Sequence, residues 1–230
     1  FGFVVLTVPS FELEKRTDVA IDDGAAGPVD PFTADVLTVK MTAGGFVGVG
    51  GSLSDANDST ATLVTTGAVG FNIPSDATLD LVILQDTAPA GDKYTGLQAS
   101  VTNATLYGIT GLSATVSGDV QVNDGPDSGR LDWSVATDGN DPLDKLADLD
   151  FDADVEYAIK AGSAALDVFG FVVLAGDFEL VKQTLSIDDG DTSDPATGAV
   201  DVDTFTADAL SLSLSNFGMF VGQREVIVDV

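Results

Sequence analysis

Apolar and polar positions alternate with a period of two along most of this chain, the pattern of strands with one buried face. It is clearest from Leu97 to Asn123. There Leu97, Ala99 and Val101 alternate with Gln98, Ser100 and Thr102, and a second alternating run, Leu112 to Val122, follows Gly108 and Gly111. Two strands joined at a glycine-bounded turn are expected, a hairpin. In order, strands are also expected at about 2–8, 11–21, 35–42, 45–50, 61–73 and 78–85, with Pro74 and Ser75 separating the last two. Asn123 to Gly129 reads as a turn, and Arg130 to Val135 as a strand carrying the only tryptophan, Trp133. Further strands are expected at about 166–175, 177–187 and 205–214, with another starting at Glu225.

The sharpest alternation puts Leu149, Phe151, Ala153, Val155 and Tyr157 on one face and Asp148, Asp150, Asp152, Asp154 and Glu156 on the other. The apolar face buries; the acidic one meets water, or cations held between neighbouring subunits. The single helical signal is Asp141 to Asp148, where Asp141 can cap, Pro142 suits the first position, and Leu143 and Leu146 share a face.

The pattern also repeats at long range. Phe1-Gly2-Phe3-Val4-Val5-Leu6 returns unchanged as Phe169-Gly170-Phe171-Val172-Val173-Leu174. Phe11-Glu12-Leu13 returns as Phe178-Glu179-Leu180, Ile21-Asp22-Asp23-Gly24 as Ile187-Asp188-Asp189-Gly190, and Phe32-Thr33-Ala34-Asp35 as Phe205-Thr206-Ala207-Asp208. Residues 1–168 therefore read as one repeat unit that begins inside the pattern, and 169–230 as the unfinished start of a second. A shorter strand-pair period is nested within: Leu210, Leu212, Leu214 and Asn216 copy the spacing of Leu97, Ala99, Val101 and Asn103. The expected fold class is all-β, a repetitive antiparallel sheet built as stacked hairpins, a β-sandwich or a solenoid-like array, with at most one short helix near 141–148.

Charge narrows the partners. The 230 residues carry 9 Lys plus Arg against 37 Asp plus Glu, a net charge of −28, while 44% of residues are hydrophobic. Such a chain can build a core yet repels phosphate backbones and anionic lipid, so nucleic acid and membranes are poor partners and cations natural ones. Apolar runs such as Phe169 to Ala175 are too short to insert in a membrane as a helix, which needs about 20 residues. The opening residues do not resemble a signal peptide, and the chain reads as cut from something longer. Cysteine and histidine are absent, which removes disulfides, thiolate chemistry and the usual general base.

No enzyme is expected. Acid pairs such as Asp22 with Asp23 and Asp188 with Asp189 have the residue type for glycoside hydrolysis, but they recur with the repeat, as turn residues do. Calcium is the cofactor the sequence can offer ligands to: Asp138, Asn140, Asp141 and Asp144 in one loop, and Asn123, Asp124 and Asp127 in another. Neither loop fits the EF-hand spacing, and the same side chains also suit plain Asx turns. Tyr94, Tyr107 and Trp133 are either a carbohydrate-stacking surface or core.

The repeated F-G-F-V-V-L, the hairpin A-T-L-Y-G-I-T-G-L-S-A-T-V-S-G-D-V-Q-V-N and the F-T-A-D turn resemble the long acidic β-rich repeats of giant bacterial surface or secreted adhesin-like proteins. The resemblance implies a structural or adhesive segment of a large extracellular or cell-surface protein. Its partners would be copies of itself or adjacent repeats, joined through sheet edges into a fibre, sheath or surface layer, with surface glycans as possible targets and calcium often bound. A carbohydrate-binding β-module, a carboxylate-dependent polysaccharide-active enzyme and a viral or phage fibre segment are the alternatives.

Overall fold

A computed structural model describes residues 4–22, 32–55, 57–58, 60–126, 129–136, 149–188 and 204–222. Its elements are β1 (Val4–Ile21), β2 (Phe32–Val49), β3 (Ser52–Leu53), β4 (Leu63–Val64), β5 (Val69–Asp86), β6 (Lys93–Tyr107), β7 (Leu112–Asp124), α1 (Trp133–Ala136), β8 (Val155–Val168), β9 (Val172–Asp188) and β10 (Thr204–Val221). The fold is all-β. Eight strands form one antiparallel meander in the order β1-β2-β5-β6-β7-β8-β9-β10, and β3 with β4 makes a separate two-stranded ribbon. The sheet runs unbroken through the boundary between the sequence repeats, which falls at the β8–β9 turn.

The strands are longer than the sequence pattern suggests, because signals read as ends are bulges. All seven ladders shift register near their midpoints, for example at Thr7/Ser10, Ala43/Gly45, Asn72/Thr78, Val101/Ala104 and Ser215/Gly218. Pro9 and Pro74 lie in two of these shifts, where an unpaired residue tolerates the missing N–H, so β1 and β5 each continue through a proline. Gly44 sits opposite the second one. A Cβ there would come within 2.6 Å of the Ser75 Cα, so only glycine lets the bulge cross β2. Asn103 and Asn216 occupy the left-handed region at two further shifts, at φ 56° and 51°.

Four expected strands are corrected. The one at about 61–73 is broken by a turn at Gly67, at φ 75°, which separates the short β4 from β5. Arg130 to Val135 is no strand: Asp132 Oδ1 accepts from the Val135 N–H at 3.3 Å and from Ser134 Oγ at 2.6 Å, which starts the single turn α1. Residues 149–154 keep the alternation, with Leu149 and Phe151 buried and Asp150, Asp152 and Asp154 exposed, yet they precede the ladder. Their backbone binds α1 instead, the Phe151 carbonyl accepting from Trp133 and Ser134. The expected strand at 166–175 is split by a turn at Phe169 and Gly170, both at positive φ, which separates β8 from β9. The helix expected at 141–148, Asp148 and the strand from Glu225 lie outside the described residues.

The core occupies one end of one face. Trp133, Leu131, Leu149 and Phe151, from the segment between β7 and β8, pack on Val19 and Ile21 of β1, Val36 of β2 and Leu84 of β5. A Cβ at Gly96 would lie 2.6 Å from the Trp133 ring and from Leu149, so the absence of a side chain in β6 makes the indole's seat. A polar row then ties the segment down. Gln98 Oε1 accepts from the Asp150 N–H at 3.1 Å, Gln121 Nε2 donates to the Asp150 carbonyl at 3.2 Å, and Asn123 Nδ2 donates to the carbonyls of Leu131 and Asp152 at 3.0 and 3.2 Å.

Candidate assembly interface

Because Gly96, Gln98 and Gln121 face the Trp133 segment, the alternate residues point to the opposite face. That face is apolar. Cross-strand partners carry one row from Phe11 through Met41, Leu79, Ala99 and Val120 to Ile159, Leu180 and Leu212, without a polar side chain in eight strands. Leu97 and Ala99, expected to be buried, belong to this face and are only half-buried, since no described segment lies over it. Along the bulge line the face dips into two shallow apolar troughs of about 290 and 220 Å³. The first is floored by Val116, Leu166, Leu174 and Phe178, the second by Leu6, Ile73, Leu79 and Val101.

The sheet also has two open edges among the described residues, β1 and β10. They are related by the repeat. Leu13 pairs with Val39, Phe11 with Met41, Val5 with Phe46 and Val4 with Val47; in the same register Leu180 pairs with Leu212, Phe178 with Leu214, Val173 with Phe220 and Val172 with Val221. The β9–β10 hairpin is thus a second copy of β1–β2. The sequence carries a signal for this that the strand pattern obscures: Gly44-Gly45-Phe46-Val47-Gly48 returns as Gly218-Met219-Phe220-Val221-Gly222, displaced by the one extra residue of the bulge at Phe217.

Equivalent residues differ in burial according to what lies beside them among the described residues. Phe46 is 0% exposed, seated against Gly51 and against Gly70 of β5, whereas Phe220 is 50% exposed. Phe11 is 61% exposed on the β1 edge, while its counterpart Phe178, flanked by β8, is half-buried. Leu210, Leu212 and Leu214 stand open along β10.

No protein-family model, curated protein or solved structure matches the chain. Its function is therefore read from its own geometry.

The chemical candidates disperse. Asn123 is buried, and its carboxamide is engaged on both sides: Nδ2 by two carbonyls, Oδ1 by the Trp133 Nε1–H at 2.9 Å. Asp124 is exposed on the rim of a polar pocket of about 560 Å³ lined also by Arg130, Asp154, Glu156 and Thr184. Cationic charge already occupies that region, since Glu156 accepts from Arg130 at 2.9 Å and from Lys182 at 2.6 Å. The Glu156 hydrogen bond holds the Lys182 ammonium above the ordinary lysine value. Asp127, Asp138, Asn140, Asp141 and Asp144 lie outside the described residues, as do Asp23 and Asp189 of the acid pairs. Among the described residues no three acids gather in a metal-binding group.

The aromatics separate too. Trp133 is buried, and Tyr94 packs against the core with its ring 5.5 Å from that of Phe32. Tyr107 is exposed at the far end of β6, about 40 Å along the strand from Tyr94 at roughly 3.3 Å per residue. These three do not form one stacking surface. No described helix is long and apolar enough to cross a membrane.

Proposed function

We propose that this chain is a structural segment of an extracellular or cell-surface assembly, one that extends a β-sheet by edge-to-edge association with copies of itself or adjoining repeats. The observation that carries the reading is the contrast between duplicate strands: the apolar side chains of β10 stand exposed where those of β2 are covered by β5. Soluble proteins blunt exposed edges with charge, proline or short strands. Here β10 is 18 residues long and carries a single ionisable side chain, Asp208. The open apolar row adds a second surface of the same kind, which a neighbouring sheet would cover at about 10 Å spacing. The cysteine-free, acidic composition suits an exterior location, where charge keeps a protein with such edges from indiscriminate aggregation.

Sedimentation and negative-stain imaging of the purified chain test the reading. Elongated oligomers that lengthen with concentration are expected. A monodisperse monomer at concentrations of about 1 mM, well above the range of useful weak association, overturns it.

A further inference from the structure

Resting on that reading, we infer that the two edges are not interchangeable sticky surfaces but seats for two different strands of the repeat. The free edge of β10 takes a strand of β5 type, and the free edge of β1 takes one of β8 type.

The internal duplication supplies the argument. Since β10 copies β2, its outer edge copies the edge of β2 that β5 occupies; since β1 copies β9, its outer edge copies the edge of β9 that β8 occupies. Each vacancy has a filled counterpart inside the same chain. The filled counterparts also dictate register. Leu37 faces Ile83, Val39 faces Leu81, Met41 faces Leu79 and Gly48 faces Gly70. Transferred to β10, this sets Leu210, Leu212 and Leu214 against the same three apolar residues of an incoming β5-type strand. Gly222 then meets the incoming Gly70, whose lack of a side chain makes room for the Phe220 ring as it does for Phe46.

On β1 the complementarity is also ionic. Glu12 copies Glu179, which pairs with Lys160 at 3.6 Å, and Lys15 copies Lys182, which pairs with Glu156 at 2.6 Å. An incoming β8-type strand brings a lysine to Glu12 and a glutamate to Lys15, and sets Ile159 opposite Leu13 and Leu166 opposite Leu6. A β5-type strand brings no such pair. The six strands from β1 to β8 are therefore the period of the extended sheet.

The chain has no cysteine, so single introduced cysteines report pairing directly. Leu212→Cys chain is mixed under oxidising conditions with a peptide spanning 69–86 that carries Leu81→Cys, and Leu13→Cys chain with a peptide spanning 155–168 that carries Ile159→Cys. Opposed Cβ atoms lie about 5 Å apart and diagonal ones about 7–8 Å, so matched pairs are expected to give about tenfold more disulfide than cysteines displaced by two residues. Exchanging the peptides between the edges should abolish the selectivity. Hydrogen exchange of the cysteine-free chain is the second measurement: the 69–86 peptide should protect β10 amides and leave β1 unprotected, and the 155–168 peptide the reverse. Peptides that bind either edge equally, or no better than scrambled ones, overturn the inference. So does predominant cross-linking of Leu212→Cys to Leu13→Cys between whole chains, an outcome that leaves the assembly reading standing. Selective peptide capture by a chain that stays monomeric does the opposite.

Discussion

At the scale of single residues, one amide organises the buried end. Asn123 accepts from the Trp133 indole and donates to carbonyls on either side of it, so it fixes both the ring and the covering segment. Trp133→Phe removes the indole donor and leaves the Asn123 oxygen short of a partner; a loss of about 1–3 kcal/mol is expected by urea denaturation. Trp133→Ala adds a cavity and should cost about 3–5 kcal/mol, enough to unfold a marginal domain. Phe46 and Phe220 form a matched pair for a second comparison. Phe46→Ala empties a closed seat and should cost about 3–5 kcal/mol, whereas Phe220→Ala, half-exposed, should change stability by less than about 1 kcal/mol while weakening assembly. Equal costs in the isolated chain would show that Phe220 is covered by something other than a partner. The roles of Trp133 and Asn123 were not legible in the sequence. A tryptophan in an alternating run looks the same whether it lies in a strand or in a turn above one, and only the space left by Gly96, 37 residues earlier in the chain, decides which.

At the scale of elements, the alternating runs announced the strands but not their ends. Proline, glycine and asparagine at Pro9, Gly44, Pro74 and Asn103 satisfy a bulge and a turn equally well. Whether the chain doubles back or continues depends on whether the neighbouring strand also shifts register, which is information held elsewhere in the sequence. On the edge strand, Leu212→Lys should leave the melting temperature nearly unchanged and suppress oligomers, because an exposed lysine on an open edge repels further pairing; retained assembly in sedimentation would remove β10 as an interface. The loop between β3 and β4 gives a pH test. Asp58 accepts from the Thr60 N–H and Oγ1, both at 2.8 Å, and those bonds hold its carboxyl below the ordinary value of 3.8. With the folded value depressed, the bonds' contribution is complete above the ordinary carboxylate range and disappears as pH falls through the lowered value. The Thr60 amide, followed by NMR, should therefore lose its downfield shift only at strongly acidic pH.

At the scale of the whole molecule, a net charge of −28 opposes the association that the apolar row and the open edges favour. Screening tips the balance. Light scattering should rise as salt goes from about 10 mM to 500 mM, where the Debye length shrinks from about 30 Å to a few ångströms, and as pH falls toward the isoelectric point near 4.1. Assembly indifferent to salt would mean that the contacting surfaces lie away from the acidic groups.

The period-two pattern, the absence of long helical periodicity and the duplicated segments determined an all-β, repeating, antiparallel chain from sequence alone, because strand formation and face preference are local matters of alternation. Tertiary structure decided which of the two faces was covered. Both faces of β6 are presentable, Leu97 and Ala99 on one, Tyr94 and Gly96 on the other, and the covering segment chose the side where a missing Cβ admitted an indole and three amides could satisfy its backbone. The strongly apolar side is left uncovered among the described residues, because burial follows from what can be packed and hydrogen-bonded over a surface and not from its hydrophobicity by itself.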